Sequence, residues 1–274
     1  MRWMRLGALS LGGALVLVAL SLGGSSLTAS AASGYTCTGG SVPAGTYRSL
    51  TVSGVCTVDA GNVTVDRDVI VQRNAGLIAL FSGSDLTVGG NVIVQQNAAA
   101  GLGCGPPDGQ CFNDTGDMPT LSNNVSIGGN VIGSGALAVI IHDVSVDGNI
   151  VLSGGGGGVN CDPQDILQGS PAYSDVEDST IGGNVVMTGI HSCWLGFIRN
   201  DISGNAIFIG NVLADPDANE FVTNTIDRNL ICVGNDPAPQ FGDSGGDPDV
   251  VGGHAIGQCA DLILPNPNPG GGED

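Results

Sequence analysis

"VSVDGNIVLSG", residues 144–154, returns as "STIGGNVVMTG" at 179–189 and as "LTVGGNVIVQQ" at 86–96. Val144 and Val146 flank Ser145, and Ile150 and Leu152 alternate with Val151 and Ser153, a period of two that marks strand and not helix. Between the two strands stands Asp147-Gly148-Asn149, matched by Gly89-Gly90-Asn91, Gly128-Gly129-Asn130, Gly182-Gly183-Asn184 and Ser203-Gly204-Asn205. Gly and Asn accept the backbone that a tight corner requires. Aligned on that Asn, or on the Asp that replaces it once, the phrase falls at Asp68, Asn91, Asn130, Asn149, Asn184, Asn205 and Asn229, at intervals of 23, 39, 19, 35, 21 and 24 residues. The two long intervals hold insertions, 97–120 with Pro106-Pro107 and two cysteines, and 154–175 with five consecutive glycines. Without them the unit is about twenty residues, a solenoid length.

A further apolar run precedes several copies: "GLIALF" (76–81), "ALAVII" (136–141) and "CWLGFI" (193–198). Three short strands per unit follow. An antiparallel sandwich would use the "DGN" corners as hairpin turns. A parallel β-helix instead stacks each unit on the next, so that inward Val, Ile and Leu meet their counterparts and the corner amides form a ladder. The recurrence of Asn at one position has a physical cause in a ladder and none in separate hairpins. The predicted fold is therefore all-β, a single-domain parallel β-helix of about seven to nine coils with Asn-containing corners and two insertion loops. Its domain spans 33–264, with covers at 35–58 and 252–264 and a disordered Pro/Gly-rich tail at 265–274.

Residues 1–32 read as a secretory signal peptide: Arg2 and Arg5 precede "ALVLVAL" (14–20), and Ala29-Ser30-Ala31 offers a small-residue cleavage site. A secreted, extracellular location is expected, with no stable membrane insertion after cleavage. Losing two of seven Lys+Arg leaves five cations against 26 acids, a net charge of −21 without a single Lys. Such a surface repels nucleic acid and anionic lipid. All eight cysteines lie beyond the leader, and an even count in an exported chain predicts disulfides, read as neighbour pairs: Cys37 with Cys56, Cys104 with Cys111, Cys161 with Cys193, and Cys232 with Cys259. No C-x-x-C spacing favours zinc.

The opening "CTGGSVPAGTYRSLTVSGVCTV" and the repeated "GNVIV" and "GNIVL" resemble secreted bacterial right-handed β-helix repeat proteins, which share the fold of the pectate-lyase superfamily. The resemblance implies a right-handed coil over nearly the whole chain beyond the leader and specifies no activity. The repeated "IGGNV" is also similar to bactofilins, which implies end-to-end assembly as one further reading.

The chemistry-bearing residues are sparse. Asp66, Asp147 and Asp227 share one corner position but stand three coils apart, about 14 Å, too far to act as a glycosidase pair. Of the polygalacturonase-like motifs only "GHAIG" (253–257) leaves a trace, and His254 reads as structural. Arg199 is the one candidate base for lyase-like chemistry, against the reading that it pairs with Asp201. His142 and His191 read as hydrogen-bonding residues. "DPDANE" (215–220) opens like a calcium loop, with Asp215, Asp217, Asn219 and Glu220 as candidate ligands, but lacks its turn Gly and closing Glu. Calcium is therefore a weak candidate, and no other cofactor and no catalytic residue is assigned. The expected function is a secreted, non-enzymatic β-solenoid acting as a surface, matrix or adhesion module, with extracellular polysaccharide or a cell-surface component as partner and the insertions as contact surfaces. A polysaccharide lyase or glycoside hydrolase is the alternative.

Overall fold

In the computed structural model, residues 32–80, 82–103, 124–242 and 245–265 are described. Every pairing between strands in them is parallel, and the chain winds as a β-helix with three faces per coil. The hairpin alternative is excluded by that register. The first face holds ten strands, beginning with Tyr35–Cys37 and Leu50–Val52 and ending with Leu230–Val233 and Ala255–Gly257. Seven of the ten follow the aligned corner residues; the other three belong to the ends, which takes the face above the seven to nine coils expected. The second face comprises Gly76–Ala79, Ala99–Gly103, Ala138–His142, Tyr173–Glu177, Trp194–Ile198 and Glu220–Val222. The third runs from Leu86–Val88 through Val125–Ile127 and Val144–Val146 to Val250–Val251. Val55–Val65 joins second and third, pairing at its start with Gly76–Ala79 and at its end with Leu86–Val88. Gly40–Tyr47 lies along that strand and covers the amino-terminal end.

Alternation sets the interior. Val69, Val92, Val131, Ile150, Val185, Ala206 and Leu230 stack as one fully buried column of the first face. Where the column narrows to Ala206, Phe208 fills the space and meets Phe197 and Phe221 at ring-centroid distances of 5.0 and 4.4 Å, favourable tilted and edge contacts. The outward positions differ between faces. On the third face the middle outward row reads Thr64, Thr87, Ser126, Ser145, Thr180, Asp201 and Thr225, as the polar-out rule requires, before it ends on Val250. On the first it reads Ile70, Ile93, Ile132, Val151, Val186, Ile207, Ile231 and Ile256.

The corner residues form the ladder in space. Each Asn donates its backbone N–H and its Nδ2 to the side-chain oxygen one coil back: Asn91 to Asp68 at 2.8 and 2.9 Å, Asn130 to Asn91 at 2.9 and 2.9 Å, Asn149 to Asn130 at 2.8 and 2.9 Å. The series continues through Asn184, Asn205 and Asn229, and the backbone N–H of His254 closes it on Asn229 Oδ1 at 3.0 Å. The first-to-second-face corner instead requires left-handed backbone, met by Asn74 and Asn97 at φ 59° and 57° and by Gly135, Gly154 and Gly189 at 61–64°.

Two more ladders occupy the other corners of the carboxy-terminal coils. Asn211 donates to Asn235 and Asn235 to Gln258. Asn200 donates to Asn224, and Asn224 to Asp249 Oδ1 by N–H and Nδ2, both 2.9 Å. Asp249 ends this second series, 3% exposed, with Oδ2 buried and unpartnered. Burial pushes its carboxyl up to about 7 against the opposing hydrogen bonds from Asn224. The folded protein thus keeps a proton that the unfolded chain has released above pH 3.8. Stability contributed by that proton is expected to fall as pH rises from about 4 to about 7 and then level off. Asp249→Asn supplies an amide where the other ladder residues carry one, so urea melts of this variant should lose the slope across that window and exceed the parent in stability at pH 7.

Cys37–Cys56, Cys161–Cys193 and Cys232–Cys259 are bonded. Cys104 and Cys111 lie outside the described residues, as do all but the last residue of the expected leader, 1–32, and all but the first of the expected tail, 265–274. The insertions are shorter than composition suggests. Ala99–Gly103 pairs with Gly76–Ala79 and Ala138–His142, so residues 97–103 belong to the coil. Tyr173–Glu177 likewise makes 173–175 part of the second face, since the strand pairs with Ala138–His142 on one side and Trp194–Ile198 on the other.

Candidate binding face

One insertion borders the second face: residues 154–172 join the first face to Tyr173 at its near edge, whereas 104–123 lie outside the described residues. The 154–172 insertion forms an arm. Its five glycines, 154–158, all take positive φ between 61° and 104°, a path that side chains would resist. The arm then turns back through a 3-10 turn at Asp165–Leu167, closed by Gln168 at φ 56°, and Cys161–Cys193 staples it to the start of a second-face strand. Between arm and sheet lies a cleft of about 300 Å³, walled by Ile166, Leu167, Gln168 and Ser170 and floored by Ile78, Gly101, Ile140 and Tyr173. Gly101 keeps the floor flat: a Cβ there would stand 2.5 Å from Leu80 Cδ1.

Towards the far edge of the same face the floor becomes charged. Ile140 pairs with Asp175 and His142 with Glu177, which brings together residues that stand 33 to 35 apart in the chain. His142 Nε2 meets Asp175 Oδ2 at 2.8 Å, while Asp175 Oδ1 accepts the Ile141 N–H at 3.3 Å. Arg199 donates Nε to Asp178 Oδ1 at 2.8 Å and its terminal nitrogen to Glu177 Oε2 at 3.2 Å. Burial opposes a charge on His142, but Asp175, Glu177 and Asp178 outweigh it and raise the imidazole to about 10. Burial first, and then Asp175 and Glu177, also push the Tyr173 phenol up, so it remains a hydrogen-bond donor. Its ring meets Trp194 edge-on at 6.0 Å.

Arg199 therefore does not pair with Asp201. It occupies a left-handed corner at φ 54°, directly after Asp178 in the same corner of the preceding coil at φ 50°, whereas Asp201 starts a third-face strand and faces solvent. Among the described residues, His142, Asp175 and Glu177 are the group of His, Cys, Asp or Glu whose donor atoms converge, within 4.8 Å. Those three are the residues that could hold a metal ion. A metal would have to displace the His142 proton and compete with Arg199 for Glu177, so the set as it stands is an ion-pair network. The calcium candidates separate: Asp217 N–H bonds Asp215 Oδ1 in a local turn, Asn219 is buried and donates to the Pro237 carbonyl, and Glu220 is 3% exposed on the second face. The corner acids Asp66, Asp147 and Asp227 are exposed, and so are His191 and His254.

Family models, curated proteins and solved structures yield no match to this chain. Three disulfides fit an extracellular protein, and among the described residues no helix is long and apolar enough to cross a membrane.

Proposed function

We propose that the protein is an extracellular, non-enzymatic β-solenoid that binds a neutral polysaccharide across its second face. The observation that carries this reading is the cleft between a disulfide-stapled arm and a flat apolar floor. Ile78, Ile140 and Tyr173 suit the C–H face of a sugar ring, and Gln168, Ser170 and the Tyr173 hydroxyl suit its hydroxyls. The net charge of −19 disfavours anionic polymers. Asp175 and Glu177, on the strand that begins at Tyr173, are 1% and 5% exposed and engaged with His142 and Arg199, a poor state for proton transfer to a bound glycan.

Leu167→Asp places a charge on the arm wall without touching the core. Retention on insoluble neutral polysaccharides is expected to drop about ten-fold, the effect of losing one well-placed contact. Unchanged retention of the variant, or no retention of the parent on any polymer, contradicts this reading. The His142–Asp175 pair beside the cleft favours the second reading, a carbohydrate-active enzyme. That reading requires release of reducing ends or unsaturated product, abolished by Asp175→Asn.

A further inference from the structure

The outward row of the first face departs from the rule its own coils obey on the third. Val151 and Ser145 belong to the same coil and both point outward, yet one column is aliphatic over eight successive rungs and the other is Thr, Ser or Asp over the seven from Thr64 to Thr225. Along the next outward position the residues are Gln, Ser and Thr from Gln72 to Thr188, and then Ile209 and Val233. No Asp, Glu or Arg occupies either outward row between Ile70 and Ile256, in a chain of net charge −19. Ile132, Ile209, Val233 and Ile256 are 36–49% exposed. An uncharged, contiguous aliphatic surface of this kind marks an interaction site.

We infer that this face docks against the first face of a second copy of the chain. Three observations select that occupant. The rows repeat at the rung spacing, about 4.8 Å, so the array that meshes with them at every rung is another stack of the same pitch, as in paired sheets whose branched side chains interdigitate. The pairing brings together two rows without an acidic residue, so in this acidic chain no like charges meet across the contact. The area fits a weak contact: eight rungs span about 34 Å and four residues of strand about 13 Å, roughly 440 Å² of projected surface per protomer. Two such faces give about 880 Å², short of the roughly 1,000 Å² of a stable specific interface, so the dimer is transient and forms only at high concentration. A two-fold axis lying in the plane of the contact, between the two faces, makes it isologous.

Sedimentation velocity over a concentration series tests this directly. The purified protein is expected to shift from one to two chain masses as concentration rises. Val151→Glu, a charge at the centre of the row, is expected to hold it at one. Ser145→Glu, the same change on the third face of the same coil, should leave the shift in place. Ile207→Thr, β-branched and uncharged, weakens the dimer while the far-ultraviolet dichroism and melting of all three variants match the parent; if Val151→Glu misfolds, this variant decides. A single chain mass at every concentration, or a shift that both glutamate variants abolish equally, overturns the inference. So does a monomer that a flat insoluble polymer depletes through the Val151 face, which would make that polymer the occupant. Glycan retention through the cleft is read separately, on the second face, so either result can fail without the other.

Discussion

Asn224→Leu is expected to destabilise the protein by about 4 kcal/mol, read as a lowered urea midpoint at pH 7. Asn224 is fully buried and makes the most of its amide: Oδ1 accepts from Asn200 N–H and Nδ2, and Nδ2 donates to the Phe197 carbonyl at 2.7 Å and to Asp249. Leucine has similar volume and satisfies none of these groups. It strands two donors and a carbonyl in a dry corner and removes one of the two donors serving Asp249, and each buried group left alone costs about 1–3 kcal/mol. Asn149→Ala provides the contrast. That corner is partly solvated, water replaces the lost amide, and the cost is expected to stay near 1 kcal/mol. Equal effects at the two sites would show that corner amides contribute by spacing the coils and not by satisfying buried groups.

The second large effect is expected from Asp175→Asn, about 3 kcal/mol at neutral pH, because the change leaves a buried imidazolium without its nearest counter-charge. The pH dependence carries the signature. A folded imidazole raised to about 10 contributes stability that is complete below 6.5 and is lost as pH climbs through the folded value. The parent should therefore melt at progressively lower temperature between pH 6.5 and about 10. In Asp175→Asn that alkaline decline should shrink, and the His142 ring proton signals should titrate at lower pH than in the parent. Glu177, Asp178 and Arg199 remain in the variant, so a residual rise is expected. An unchanged titration would remove Asp175 as the dominant partner.

The corner ladder was legible because five of its seven corners repeat one phrase, "GGN", "DGN" or "SGN", at the boundary between two alternating strands. The ladder through Asn200 and Asn224 left a fainter signal, "RNDIS" and "TNTID", with too few copies to stand out beside insertions of unequal length. The insertion limits were misjudged at 97–103 and 173–175, where Ala, Gly and acidic residues conceal strands. "NAAAGLG" has Leu102 as its one large side chain, and at Gly101 Leu80 takes the space a Cβ would need, while "YSDVE" places Asp175 and Glu177 beside a charged neighbour from another coil. The charged cluster itself was out of reach: His142, Asp175 and Arg199 meet only after the winding removes the arm between them. Asp201 looked the nearer partner of Arg199 in sequence, but the corner at Arg199 turns the chain, and the residue stacked beside it belongs to the coil before.

The central claim is that the second face holds a glycan and does not cleave it. Incubation of the purified protein with a panel of soluble and insoluble polysaccharides, with retention, reducing ends and unsaturated product followed together, tests it most directly. Retention on a neutral polymer with no product in any sample is the predicted result. Product from any substrate, lost in Asp175→Asn, would contradict it and assign chemistry to the His142–Asp175 pair.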